Sequence, residues 1–406
     1  MPWKETCAMD ERVMFIADYL RDELSVAELC RRYEISRKTG YKWLERYDDE
    51  GIVGLKERSH APHDCPHRMS EAVAEAVVGV RTSHPSWGPR KVRAWLLDHR
   101  PLGYWPAAST MGELFDQRGL TIRRKRRRCV PPSAPFQDCL AANDIWSVDF
   151  KGWFRTADGQ RCDPLTLSDG HSRYLLRCQA VERPSGTFVW PVFDAAFREF
   201  GLPKTMRSDN GPPFASCAAG GLSQLSVRLI KAGVIPERIE PGKPQQNGRL
   251  ERFHLTLKRE TASPPAANHR AQQRRFDAFR TLYNEERPHE ALKQTPPARH
   301  YAASLRRYSG RLREPDYPDD CVVRRVRSNG EIKWHGELIF ISDVLVGEPV
   351  ACEETDAGNW CLRYGPIELG SIDHRSRLVR SRRLREAGQG THGRPSGQNV
   401  LPIIPV

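Results

Sequence analysis

Three acidic residues stand where an alternating or amphipathic pattern starts or stops, and together they call for a mixed α/β arrangement. Asp149 lies in the alternating apolar run Trp146-Ser147-Val148-Asp149-Phe150, a pattern with the period of a strand. Asp209 lies in Arg207-Ser208-Asp209-Asn210-Gly211, where a short strand runs into a turn. Glu251 lies in Gln245-Gln246-Asn247-Gly248-Arg249-Leu250-Glu251-Arg252-Phe253-His254, at the start of a helical pattern. Two strand ends and one helix start can deliver three carboxylates to one place. Such a cluster suits hard divalent cations that keep positions open for water and phosphate oxygens. Singly, each acid has an ordinary reading: an edge-strand charge, turn chemistry, an exposed helix residue.

Between the acids the pattern alternates strand and helix. Ile145 to Phe154 predicts a first strand, Asp158-Gly159 a hairpin turn, Leu165 and Leu167 a second strand ending near Asp169, and Tyr174 to Val181 a third. Thr187 to Phe200 has helical spacing and stops at Gly201. Lys204 to Ser208 predicts the strand that delivers Asp209, and Leu222 to Ala232 a further helix. Gly242 to Gly248 reads as a mobile loop. On the last helix Glu251, His254, Leu255 and Lys258 share one face, while Leu250, Phe253 and Leu257 form a neighbouring face that can pack on the sheet. Competing acids are Asp144, Asp163, Asp169 and Glu260. Asp144 is too close to the strand start, and Glu260 lies more than two turns past Glu251.

The first 58 residues predict a helix-turn-helix. Val13, Ile16, Leu20 and Leu24 recur at helical spacing; Ser25 and Glu28 form a capping box; Ser36 caps a third helix, Arg37 to Tyr47, with Trp43 and Leu44 inward. Arg37, Lys38, Thr39 and Lys42 fall on the leading turns of that helix, where base and phosphate contacts are made. A small bundle with a solvated basic face is the competing view. Residues 68–121 predict a second, weaker unit of the same kind. One helix carries Ala72, Val73, Ala76, Val77 and Val80, a second opens at Pro89 with Val92, Trp95 and Leu96, and a third starts at Pro106 or Ser109. The cluster His60, His63, Cys65 and His67 has no common zinc spacing and reads as a linker.

Charge narrows the partner, though a basic but uncommitted soluble protein would carry the same excess. The 406 residues carry a formal net charge of +13, which suits a phosphate backbone. Its densest run, Arg123-Arg124-Lys125-Arg126-Arg127-Arg128, precedes Pro131, Pro132 and Pro135, so residues 122–138 read as a basic linker able to track phosphates. A plain solubilising connector is the alternative. The 11 cysteines lack framework spacing, and no apolar stretch reaches spanning length, so a cytoplasmic, nucleoid-associated protein with reduced thiols and no membrane partner is expected. From about Asp319 short strands dominate, with Asn329-Gly330 as a hairpin signal, which predicts a small β-barrel over 317–385. Its Arg324, Arg325, Arg327 and Lys333 could hold DNA. Residues 386–406 read as a disordered tail.

Residues 139–301 resemble the integrase catalytic core of retroviral integrases and bacterial insertion-sequence transposases, the DDE superfamily. The resemblance rests on an ordered set of motifs: Trp146-x-x-Asp149-Phe150, Ser208-Asp209-Asn210-Gly211, Gln246-Asn247-Gly248-Arg249-x-Glu251-Arg252-Phe253-His254, and Tyr283-Asn284-x-x-Arg287-Pro288-His289-x-Ala291-Leu292. It implies a ribonuclease-H-like mixed sheet and a metal-dependent DNA transposase. It also implies two Mg2+ (or Mn2+) ions, Asp149 bridging them while Asp209 and Glu251 complete one site each. Asp209 and Glu251 are 42 positions apart, longer than the family's usual spacing, so an insertion between Ser216 and Pro241 is expected. His254 and Lys258 are expected to touch DNA, Arg249 and Arg252 less directly. The implied substrates are double-stranded DNA, both the element's terminal inverted repeats and the target, joined by a cut or copy route in a dimeric or larger synaptic complex. An inactive DNA-binding relative would leave joining undone; a ribonuclease-H-like nuclease would cleave without joining.

Overall fold

The computed structural model describes residues 7–58, 69–121, 139–239, 248–355, 358–372 and 378–379. The basic run 123–128, the His60–His67 cluster, the loop before Gly248 and the C-terminal tail lie outside these. The chain forms two compact units, Met1–Met69 and Ser70–Val406.

In the first unit α1 (Ala8–Leu20), α2 (Val26–Arg32) and α3 (Arg37–Glu50) enclose Phe15, Ile16, Leu29, Cys30, Trp43, Leu44 and Leu55. Ser25 and Glu28 make the expected capping box, and Ser36 Oγ accepts from the Thr39 amide at 3.1 Å. Gly40 lets α3 approach α2, since a Cβ there would lie 2.5 Å from Cys30 Sγ. The apolar stripe of α1 differs from the expected one. Ile16 is buried, but Val13, Leu20 and Leu24 are exposed, because the inward face runs through Phe15 and the helix ends at Leu20.

The second unit opens with α4 (Glu71–Ser83), α5 (Pro89–His99) and α6 (Ala108–Gln117) around Val77, Trp87, Val92, Leu96, Met111 and Phe115. Pro89 takes the first turn of α5 as expected, where its missing N–H costs nothing.

A mixed sheet follows. Its strands are β1 (Ile145–Phe150), β2 (Phe154–Arg155), β3 (Arg161–Asp169), β4 (Leu175–Val181), β5 (Thr205–Ser208) and β6 (Ile235–Arg238). The order is β4-β3-β1-β5-β6, with β2 added beside β3. The first three strands pair antiparallel, and β1, β5 and β6 run parallel. Alternation along β1 sends Trp146 and Val148 into a core with α7 (Gly186–Phe200) and α8 (Gln224–Lys231), where the Trp146 and Phe197 rings stack at 5.9 Å. The opposite face is covered by α9 (Gly248–Thr261) and α10 (His269–Thr281) through Leu257, Phe276 and Phe279, and by Tyr283 just past α10. The sheet is therefore dry on both sides, and Asp149 faces the α9 side.

Side chains of the region after α9 hold the free edge of β4. Asn284 receives the Leu175 amide at 2.8 Å and donates to the Leu175 carbonyl at 3.0 Å; Gln273 does the same for Ala180 and Cys178. Two carboxamides thus replace a neighbouring strand, which explains the Asn in Tyr283-Asn284. Arg287 donates to Glu260 at 2.6 Å and to Ser86 at 3.3 Å, tying the end of α9 to the turn before α5. Asp169 is structural: it is 1% exposed and accepts from the Asn143 amide and from both the amide and hydroxyl of Ser172.

The C-terminal strands depart from the expected barrel. Strands β7 (Val322–Arg325), β10 (Pro349–Glu354), β11 (Trp360–Tyr364), β12 (Ile367–Ile372) and β13 (Leu378–Val379) form an open sheet, and β8 (Glu331–Trp334) with β9 (Glu337–Phe340) a separate hairpin. Among the described residues β7 and β13 are edges that do not meet. The sheet has no need to close on itself, because Ala219, Leu222, Val227 and Ile230 of the preceding domain complete its core. Lys231 pairs with Glu348 at 2.7 Å across the same junction. A strap between the two, through Tyr301, Tyr308 and Leu312, packs on the α7 core.

Candidate active site

The parallel register puts two of the three acids together. Ile145 lies beside Thr205, Trp146 beside Met206 and Ser147 beside Arg207, so two further steps bring Asp149 level with Asp209. Ser208 ends β5, and the Asp209 carboxylate accepts from the Gly211 amide at 3.1 Å in the following turn. Burial raises the pKa of Asp209. Burial, then the charges of Asp209 and Glu251, push Asp149 up to about 7.

Glu251 stands in the first turn of α9, exposed but within electrostatic reach of Asp149. Among the described residues no three His, Cys, Asp or Glu side chains are drawn tightly enough to hold an ion as they stand. The register carries Asp149 level with Asp209, and the charge of Glu251 reaches Asp149 from the first turn of α9. Like charges without a counter-ion repel, and that repulsion opposes closure. The donor set fits a divalent cation nonetheless: hard carboxylate oxygens, those of Asp149 and Asp209 partly buried and carrying like charge.

His254 is half-buried on α9. Its side chain is 11% exposed, with Nε2 2.9 Å from Thr166 Oγ1 and Nδ1 3.8 Å from Asp149 Oδ2. Burial and the Lys151 charge lower its pKa to about 4, so the ring is neutral. The sequence reading missed two of these neighbours. Thr166 is the β3 residue paired with Asp149. Lys151 lies two residues past Asp149, its pKa lowered to about 8 by burial and by Lys258. The period of two along a strand was the available signal for Lys151. Thr166 needed the pairing register, which no local pattern gives.

The other nominated residues divide cleanly. Lys258 and Arg252 are exposed on α9, and so are Arg37, Lys38 and Lys42 on α3. Thr39 is partly covered, its hydroxyl 2.8 Å from that of Ser36, so it serves the cap. Leu255, placed with the acid face, is 47% exposed. His289 is packed edge-on against Tyr283 at 4.7 Å, and its Nε2 has no hydrogen-bond partner among the described residues.

Comparisons with known proteins bear on the same segments. Integrase core domain models match residues 140–244 and 232–297, a helix-turn-helix domain model matches 11–63, and a homeodomain-like domain model matches 39–115. The chain is 30% identical over 251 residues to the insertion element IS407 uncharacterized 31.7 kDa protein of Burkholderia multivorans, covering 61% of this chain and 87% of the relative. It is 31% identical over 253 residues to the insertion element IS476 uncharacterized 39.2 kDa protein of Xanthomonas euvesicatoria, covering 61% and 68%. The HTLV-2 integrase catalytic core in complex with magnesium aligns with 40% of this chain and 99% of its own, at 15% identity and a TM-score of 0.32.

Proposed function

Because the chain belongs to the bacterial insertion-sequence transposases with an integrase-like core, we propose that Asp149, Asp209 and Glu251 are its metal-holding catalytic residues. The protein is a DNA polynucleotidyl transferase. The observation that carries the assignment is the β1–β5 register, which aligns Asp149 with Asp209 at the edge of a face covered by α9. Divalent ions, two in this reading, supply Lewis acidity to an attacking water or 3′-hydroxyl and to the leaving oxygen. The chain supplies the rest. Asp149 on β1 and Asp209 just past the end of β5 stand level, and Glu251 would join them from the first turn of α9. Lys258, exposed on the same helix, and Lys151, half-buried beside it, offer positive charge to the DNA phosphates.

Cleavage and joining of labelled element ends test the reading, the substrate being read from inverted repeats that flank the gene. A joined product that depends on Mg2+ or Mn2+ is expected; cleavage without joining would reduce the protein to a nuclease. Synapsis of two ends by a dimer or larger assembly is part of the proposal, since both ends must reach one target.

Metal affinity should depend on pH in one direction. The metal-free Asp149 carboxyl, at about 7, holds a proton that a cation must displace. His254, at about 4, is already unprotonated across this range. Affinity therefore falls as pH drops below 7, by up to tenfold per unit, and levels off above it. Calorimetry in buffers of different ionisation enthalpy should show about one proton released per site at pH 6 and far less at pH 8.5.

End recognition is assigned to α3, with Arg37, Lys38 and Lys42 toward DNA. Arg37→Ala or Lys42→Ala should weaken end binding and lower the slope of log K against log salt by about one where a phosphate contact is lost. A gel-shift series at several salt concentrations measures both. An unchanged slope and affinity in both variants would remove α3 from the interface.

A further inference from the structure

The hydrogen bonds around His254 settle which ring nitrogen faces the acids. Thr166 Oγ1 lies 3.1 Å from the Asp149 main-chain oxygen and 2.9 Å from His254 Nε2. A hydroxyl has one proton. Given to the carbonyl, which can only accept, it leaves Oγ1 as the acceptor for Nε2. The arrangement that satisfies both contacts therefore puts the imidazole proton on Nε2 and leaves a lone pair on Nδ1. That lone pair stands 3.8 Å from Asp149 Oδ2, also a lone-pair donor. Two donor atoms face each other at a distance too long for a hydrogen bond. The gap is shorter than two metal–ligand bonds of about 2.1 Å laid end to end, so an ion placed between them could touch both. Thr166 fixes the ring as an outer hydrogen-bond partner commonly fixes a ligating histidine. The partly open side chains, 11% and 17% exposed, leave a route in.

We propose that His254, through Nδ1, is a direct ligand of a divalent ion bound at Asp149, giving this transposase a mixed nitrogen–oxygen site. The inference rests on the metal-dependent reading of the acids and adds a residue to it. Its consequence is metal choice. Imidazole suits transition ions, whereas Mg2+ favours oxygen and water, so this site discriminates for Mn2+ more strongly than carboxylates alone would.

The test is pulsed electron paramagnetic resonance of Mn2+ bound to the full-length protein, with Mn2+ and Mg2+ affinities measured alongside. Wild type should show nitrogen coupling that changes to the 15N pattern when histidine is 15N-labelled, and that disappears in Asp149→Asn. His254→Asn should bind Mn2+ about tenfold or more weakly and Mg2+ less than about threefold more weakly. The labelled wild type keeps the test informative even if His254→Asn folds poorly. Mn2+ bound through Asp149 without nitrogen coupling overturns the ligand assignment and leaves the metal-dependent reading standing. Coupling that persists in His254→Asn comes from another histidine and also overturns it. Failure of Mn2+ to bind in any Asp149-dependent way sinks both.

Discussion

Asp149→Asn is expected to lower strand transfer by about a thousandfold or more while element-end binding stays within about twofold of wild type. The carboxylate sits where β1 and β5 lie level and is the acid that Asp209, Glu251 and His254 all surround. Replacing it with an isosteric amide removes the negative charge, and with it the ability to hold a cation, without altering volume. Folding should not suffer. The native carboxylate is buried near like charge, which disfavours its ionised form, so the neutral amide relieves that cost. The variant should therefore melt at or above the wild-type temperature in metal-free buffer and gain less from added Mn2+. Single-turnover joining, gel shifts and a melting curve separate these effects. Retained joining would remove Asp149 from the chemistry.

Glu260→Gln is expected to destabilise the second unit by about 3 kcal/mol, the scale for leaving a buried charge without its partner. Glu260 faces Arg287, whose side chain is 6% exposed, at 2.6 Å, and accepts from Ser86 Oγ at 2.5 Å. Lys91 lies in the same electrostatic cluster, its pKa lowered to about 8 by burial and then by Arg287. Without the carboxylate, cations face one another with less to offset them. Because α9 carries Glu251 at its first turn and Glu260 near its last, loosening this end should also make joining activity fall off at a lower temperature. Urea denaturation and activity at a series of temperatures check both. An unchanged midpoint would mean that water replaces the lost charge.

The catalytic segment was legible because its signals are local. Alternation at Trp146 to Phe150, the stop at Gly201 and the turn after Ser208 each follow from neighbours in sequence, and the observed elements fall within a few residues of them. The acids could be nominated from their settings, yet their separation could not, since it depends on charge balance among parts far apart in the chain. His254 shows the limit most clearly. Helical spacing put it on the face of Glu251, and only the packing of α9 on β3 turned it toward Asp149. Arg287, Asn284 and Gln273 are ordinary polar residues in a sequence, and their partners lie 27 to 201 positions away. Among the described residues the C-terminal strands do not close into the expected barrel, for a related reason. Strand signals count strands, but they do not reveal that another domain covers the sheet.

That cover comes from the stretch between Asp209 and Glu251. Gly220, at φ +63°, comes so near Leu369 that a Cβ would lie 2.9 Å from its Cδ2, and Leu222 with Ile230 fills the core beneath the sheet. A stretch that looks like surplus in the catalytic segment is thus a mould for the tail end of the protein. When elements exchange gene fragments, a crossover downstream of α9 would deliver a C-terminal module onto a mismatched seat. Viable hybrids should inherit residues 216–231 and the strands from 322 onward from the same parent.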